Sequence, residues 1–188
     1  MVGRAMRERR IVVVGNTCAG KSTLGEALAN ALSVRFVDLD ALFWKPNWQK
    51  PELAEFRAKV DEATREGGWV VAGNYTTQQQ DISWPRADTV VWLDVPLPLV
   101  VTRVLTRSFG RWRRRELLWG TNQEKFLPHL KVWDEEESLI AWAVRHHLPR
   151  RRYFEQAITD PQWAHLDFVR FTSNGAATKW VARLQARR

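Results

Sequence analysis

Only one cysteine, Cys18, occurs in the 188 residues of the chain. An internal disulfide and a multi-cysteine metal site are therefore excluded, as suits a protein of a reducing compartment. Long apolar runs are also missing. None reaches the roughly 18 residues of a membrane span, and the basic start MVGRAMRERR is followed only by Ile11 to Val14, too short a core for a signal peptide. A soluble, cytoplasmic protein with no membrane partner is expected. The histidines His129, His146, His147 and His165 stand at no ligand spacing with other donors, so they point to no metal site of their own. Internal repeats, low-complexity linkers and a second domain boundary are absent too. A chain of this length with 45% hydrophobic residues then favours a single domain with one sizeable core.

What is abundant is positive charge, a formal +8. Much of it lies in Arg103 to Arg115 and Arg145 to Arg152, with smaller clusters at the termini. Such an excess admits a nucleic acid, bound through counterion release, or a nucleotide. Localised basic segments suit defined phosphate contacts as readily as a diffuse polyanion face, so the nucleic acid is the less favoured partner. Tryptophan is also plentiful, with 11 residues. Most stand beside apolar residues and read as core or pocket walls. Nothing in the sequence fixes an oligomeric state.

Ile11 to Val14 is apolar on both faces and β-branched, the pattern of a strand in a parallel sheet covered by helices. Ser22 to Leu32 carries Leu24, Ala27, Leu28, Ala31 and Leu32 at helical spacing. Further strands are expected at Val34 to Val37, Trp69 to Ala72, Thr89 to Leu93 and Leu166 to Phe171. Helices are expected at Pro51 to Arg65, from near Pro98 into the first basic segment, at Asp134 to about His147 with acids in its first turn, and at Ala176 to Ala186. Pro149 is expected to interrupt the chain before RRRYFEQAI restarts a helix. Alternating strands and helices give an α/β class with a mainly parallel sheet.

Gly15, Gly20, Lys21 and Ser22 fit the pattern G-x-x-x-x-G-K-[ST] between the first strand and the first helix. That context predicts a loop whose backbone N–H groups wrap a polyphosphate. ATP would lie along Gly15, Asn16, Thr17, Cys18, Ala19, Gly20, Lys21, Ser22 and Thr23, with Lys21 on the β and γ oxygens and the Ser22 hydroxyl on Mg²⁺. Cys18 reads as loop filler, although a helix N-terminus would lower its thiol pKa. Asp38 and Asp40 are expected to end the second strand with their carboxylates on one side of the sheet, at the rim where open α/β sheets bind ligands. One would hold Mg²⁺ through water and the other orient an acceptor hydroxyl. The plainer alternative is a turn that caps the next helix. Arginines of the two basic segments, Arg111 and Arg151 among them, are candidates for stabilising charge on the transferring phosphoryl group.

The stretches IVVVGNTCAGKSTLGEALA, DLDALFWKPNW, WVVAGNY, RADTVVWLDVP and LWGTNQEKF, over residues 10 to about 172, together resemble the P-loop kinases known as topology modulation proteins or adenylate-kinase-related kinases. The resemblance implies the nucleoside-monophosphate-kinase fold: a five-stranded parallel sheet in the order 2-3-1-4-5, helices on both faces and a lid within about 103–152. It also implies an ATP- and Mg²⁺-dependent kinase with a small-molecule or nucleotide acceptor. By position, Asp40 and Leu42 to Trp48, including Trp44, would line the acceptor site. Arg103 to Arg115 and Arg150 to Arg152 would form the lid, and Thr172 to Gly175 would lie near the adenine. The family's W-[IV]-[IV]-D-G-N-Y turn has Ala72 here in place of its aspartate, so Asp38 is expected to take the metal role. Adenylate kinases have G-F-P-R where this chain has Gly73, Asn74 and Tyr75. An amide and a phenol suit a hydroxyl-bearing or aromatic acceptor as well as a monophosphate. A nucleotide-dependent nucleic-acid-binding protein and an ATP-binding protein with weak turnover are the alternative readings.

Overall fold

The computed structural model describes residues 9–131, 133–134 and 137–186. The first eight residues, Glu135, Glu136 and the last two arginines, on which parts of the terminal basic clusters and of the expected acidic helix turn fall, lie outside the described residues.

The buried run Arg10–Gly15 forms β1, and the loop after it opens α1, Lys21–Leu32. Next come β2 (Arg35–Asp38), a short α2 (Leu39–Phe43), α3 (Leu53–Thr64) and β3 (Trp69–Ala72). They are followed by α4 (Thr76–Ser83), β4 (Thr89–Leu93) and α5 (Leu97–Arg114). A small hairpin of β5 (Leu117–Leu118) and β6 (Asn122–Gln123) precedes α6 (Leu139–Thr159), β7 (Asp167–Phe171) and α7 (Asn174–Gln185). The main sheet has five strands in the order β2-β3-β1-β4-β7, all of them parallel. Counting its own strands only, this is the expected order 2-3-1-4-5.

The two sheet faces carry separate cores. Ile11, Val13, Val70 and Val91 pack with Leu24 and Leu28 of α1, Val100 and Val104 of α5 and Val181 of α7. On the other face, Val12, Val14, Val71 and Val90 meet Phe56 of α3 together with Trp84 and Trp163. Gly25 keeps α1 close to the sheet, since a Cβ there would lie 2.6 Å from the Phe36 ring.

Helix α6 departs from expectation at both ends. It starts at Leu139, because the Ser138 side chain caps it by accepting the Ala141 N–H at 3.2 Å. Asp134 lies ahead of the helix, where its carbonyl accepts the Ser138 N–H at 2.9 Å. The helix also runs straight through Pro149 to Thr159. An interior proline costs about 3 kcal/mol. Anchors on both sides offset it, for Ile140 and Ala143 are buried in the first core and Phe154 and Ala157 in the second. The helix thus crosses the C-terminal rim of the sheet and links both faces.

Trp84 is fully buried against Phe154, Trp163 and Phe168, with ring centroids 5.0 to 6.4 Å away. Trp84→Ala is expected to cost about 3–5 kcal/mol, measured as a lower urea midpoint at unchanged slope.

Candidate phosphotransfer site

The loop from Gly15 to Gly20 is held by side-chain amides and by the cations Lys21, Arg103 and Arg150. Gly15, at φ 149°, lies so close to β4 that a Cβ would stand 2.6 Å from the Leu93 carbonyl oxygen. Its peptide is clasped by Asn74, whose Oδ1 accepts the Gly15 N–H at 3.1 Å while its Nδ2 donates to the Gly15 carbonyl at 2.6 Å. Within the loop, Asn16 Oδ1 accepts the Thr17 N–H at 2.8 Å. The Asn16 amide nitrogen donates to the Ala143 carbonyl at 3.1 Å and lies 3.3 Å from His147 Nδ1. At the far end, Asn174 Nδ2 donates to the Ala19 carbonyl at 2.7 Å, and its Oδ1 accepts from Arg103 at 2.7 Å. Gly20, at φ 97°, leaves room for that amide, which a Cβ would approach to 2.6 Å.

Lys21 curls under the loop and donates to the Asn16 carbonyl at 3.0 Å. Burial lowers its pKa and the nearby Asp40 carboxylate opposes the shift. Ser22 follows, half-buried, and Thr23 is exposed. The Cys18 thiol is pushed up by burial, against the lowering expected from the helix terminus, although Arg107 and Lys21 pull it the other way.

The arginines sort by helix face. Arg103, Arg107 and Arg111 recur at four-residue spacing on α5, one stripe along the helix. Arg103 donates to the Ala19 carbonyl at 3.3 Å, and the Arg107 charge acts on both Cys18 and Lys21. Arg111, expected to act on phosphate, is instead paired with Glu124 at 3.2 Å and Glu116 at 3.5 Å. Arg151 is likewise drawn off, to Glu155 at 3.3 Å and Asp94 at 3.6 Å. Its neighbour Arg150 faces the loop, donating to Asn16 Oδ1 at 3.4 Å with its guanidinium 4.5 Å above the Trp142 ring. Burial lowers the Arg150 pKa to about 10.

On the other side of Lys21 lie the two aspartates. They do not share a strand face, because β2 ends at Asp38 and Asp40 belongs to the first turn of α2. Asp38 caps that helix, its Oδ1 accepting the Asp40 N–H at 3.0 Å. In the sheet Asp38 pairs directly with Ala72, the position that lacks an acid. Burial raises its pKa, Asp40 adds to the rise, and Lys21 and the Trp119 indole oppose it. Asp40 accepts the Tyr75 hydroxyl at 2.7 Å. Burial and the Asp40 charge push that phenol well up. Tyr75 packs 4.6 Å from Phe43, Phe43 meets Trp44 at 5.1 Å, and Trp44 meets Trp48 at 5.4 Å. Gly73, at φ 148°, admits α2, since a Cβ would stand 2.7 Å from that of Leu39. Of the Gly73-Asn74-Tyr75 turn, then, only Tyr75 turns toward Asp40, while both amide atoms of Asn74 serve the loop.

Between α5 and α6, the hairpin docks on the turn after α2. The Trp48 N–H donates to Asn122 Oδ1 and its indole to the Gln123 carbonyl, both at 2.8 Å. Beneath it Glu124 is buried among Ser108, His129, Arg107 and Arg111. Sequence reasoning missed Glu124, and missed Asn74 and Asn174 as braces. The four-residue spacing of Arg103, Arg107 and Arg111 was a readable sign of a common face.

A glycine loop with a half-buried lysine at the mouth of a parallel sheet, faced by a carboxylate held on a phenol, defines a P-loop phosphotransferase. Residues 17–158 match the sequence model of the shikimate kinase family. The chain belongs to that family. It is 26% identical over 132 residues to the uncharacterized protein YqaC of Bacillus subtilis, covering 68% of this chain and 74% of that one. To shikimate kinase 2 of Syntrophotalea carbinolica it is 35% identical over 107 residues, covering 50% and 62%. The chain thus spans about three fifths of the curated shikimate kinases it matches. In fold it resembles shikimate kinase from Bacteroides thetaiotaomicron, at 20% identity and a TM-score of 0.53 over 95% of this chain and 97% of the other. No helix among the described residues is long and apolar enough to cross a membrane.

Burial pushes the Glu124 pKa up, but bonds from His129 and Ser108 and the Arg107 and Arg111 charges outweigh it, leaving it at about 2 instead of the usual 4.5. A depressed carboxylate stabilises the fold fully above its unfolded value and loses that contribution as pH falls through its folded value. Thermal unfolding is therefore expected to show a stability loss between pH 4.5 and about 2. Glu124→Gln should flatten this part of the profile and lower stability at neutral pH.

Proposed function

We propose that the chain moves the γ-phosphoryl group of ATP to a hydroxyl of a small acceptor held beside Asp40. One observation carries the reading: the Asp40 carboxylate, fixed by Tyr75, stands close enough to Lys21 to act on its charge. In the step itself the acceptor oxygen bonds to the γ-phosphorus, the bond from that phosphorus to the β–γ bridging oxygen breaks, and the hydroxyl proton passes to Asp40. Lys21 and Arg107, with Arg150 reaching over the loop, balance charge that spreads onto the phosphoryl oxygens. These cations contact neutral amides and carbonyls, or lie near carboxylates that leave their charge in place, so they fit a triphosphate.

The residues also fit Mg²⁺. Asp38 lies at the register of Ala72 and on the sheet face of Phe36, which packs toward α1, while Ser22 opens that helix. Ser22 and Asp38 would hold the ion, which supplies charge neutralisation at the β and γ oxygens when bound. Within the family, the DLDALFWKPNW stretch leads us to propose membership of the narrower group of topology modulation proteins.

The test follows label from γ-labelled ATP into an acceptor panel that starts with shikimate. Lys21→Ala should abolish transfer, and transfer that survives it would remove the loop from the mechanism. Asp40→Asn is expected to lower kcat by about 10²- to 10⁴-fold, the usual worth of a positioned proton acceptor, with little change in ATP affinity. Asp38→Ala should raise the Mg²⁺ concentration needed for half-maximal turnover; an unchanged Mg²⁺ dependence would show that Asp38 does not replace the acid missing at Ala72.

A further inference from the structure

The acceptor side has a chemistry of its own. Asp40 and Phe43 stand three residues apart on α2 and so share a face, and Trp44 follows as the extended residue that ends the helix. The rings continue from Trp44 to Trp48 at 5.4 Å and from Trp48 to Trp119, at the hairpin tip, at 5.9 Å. The Trp48 indole N–H of this wall is spent on the Gln123 carbonyl at 2.8 Å. The wall offers a ligand its aromatic surface, whose negative π-face attracts cations.

Charge on this side agrees. Lys45 is tied to Glu55 at 2.5 Å, and Glu55 also takes Lys59 at 2.8 Å. Arg57 forks onto both Asp81 oxygens at 2.9 and 2.6 Å. Lys45 and Arg57 are therefore neutralised within the protein. Among the described residues, by contrast, neither Asp38 nor Asp40 takes part in any of the ion pairs within 4.0 Å. An acceptor carboxylate would meet the like charge of Asp40.

We propose that the acceptor is a small amino alcohol, its hydroxyl held by Asp40 and its ammonium or quaternary amine set against the Trp44, Trp48 and Trp119 surfaces. The proposal rests on the kinase reading for the position of the hydroxyl. The wall by itself selects the charge.

A matched pair isolates that charge: choline and 3,3-dimethylbutan-1-ol have the same shape, with a quaternary nitrogen replaced by carbon. Binding of each, and of shikimate as the anionic member, is measured by calorimetry on the full chain with Mg²⁺ and ADP present. Choline is expected to bind about tenfold or more tightly than its neutral isostere, and shikimate most weakly. Trp119→Leu, at the half-exposed hairpin tip, should bring the pair close to parity while ADP binding is unchanged, and Trp44→Leu should do the same. Parity in the wild-type protein, or tighter binding of shikimate, overturns the proposal. Failure of the kinase reading looks different: if the pair is discriminated but no panel member takes label from ATP, the cationic site is supported and the phosphotransfer assignment falls.

Discussion

The phosphate loop is fastened by side-chain amides, and most of the site depends on that choice. A loop that must aim its N–H groups at a polyanion has to leave them free, yet its remaining polar atoms are buried and need partners. Asn74 clasps the Gly15 peptide, Asn174 takes the Ala19 carbonyl, and Asn16 ties the loop to α6. Amides satisfy both donors and acceptors without bringing charge. A carboxylate in any of these places would repel the triphosphate. The braces also come from the turn after β3, from α6 and from α7 separately, so the loop geometry reports the packing of these elements around the sheet.

Helix α6 extends the same logic to the two cores. Its N-terminal half is buried with α1 and α5, its C-terminal half with the Trp84 cluster, and the stretch between carries Ala143, His147 and Arg150 to the loop. Pro149 falls in this crossing segment. The missing N–H weakens the helix at the point where it leaves one core for the other, and burial at both ends keeps it continuous. Any movement of the arginine-bearing stretch over the loop must therefore be paid for in packing on at least one face.

How far the sequence could be read depended on whether a signal was local. The strand, loop and helix around Lys21 announce themselves through glycine placement and apolar periodicity, and the strand order follows from the resemblance. Asp40 was legible as a rim residue, but α2 was not, because Leu39–Phe43 is too short to show a period. The placement of Asp38 and Asp40 on one strand face failed for that reason, and the plainer alternative of a helix cap describes Asp38. The choice of Arg150 over Arg151 turns on about 100° of helix rotation. It needs the docking of α6, which Pro149 seemed to forbid. The clasp of Asn74 on Gly15 arises only because β1 and β3 lie side by side in one register.

Across the cleft the charges are divided. Lys21, Arg103, Arg107 and Arg150 lie with the loop, while Asp38, Asp40 and a wall of indoles face them. On the proposed reading the division keeps the two substrates apart, since a triphosphate is repelled from the acid side and a cation from the loop side. It also bears on chemistry. In the proposed step Asp40 receives the acceptor's proton, and the Tyr75 hydroxyl, which it accepts at 2.7 Å, fixes its carboxylate for that role. Asp38, whose pKa is raised by burial and by its neighbour, takes up part of the repulsion between the two acids, and the Trp119 indole eases it. The hairpin that carries Trp119 is fastened to Trp48 and, through Glu124, to the arginine stripe of α5. One buried glutamate thus connects the segment that covers the acceptor side to the helix that lines the phosphate side, so the two halves of the cleft are built as one unit.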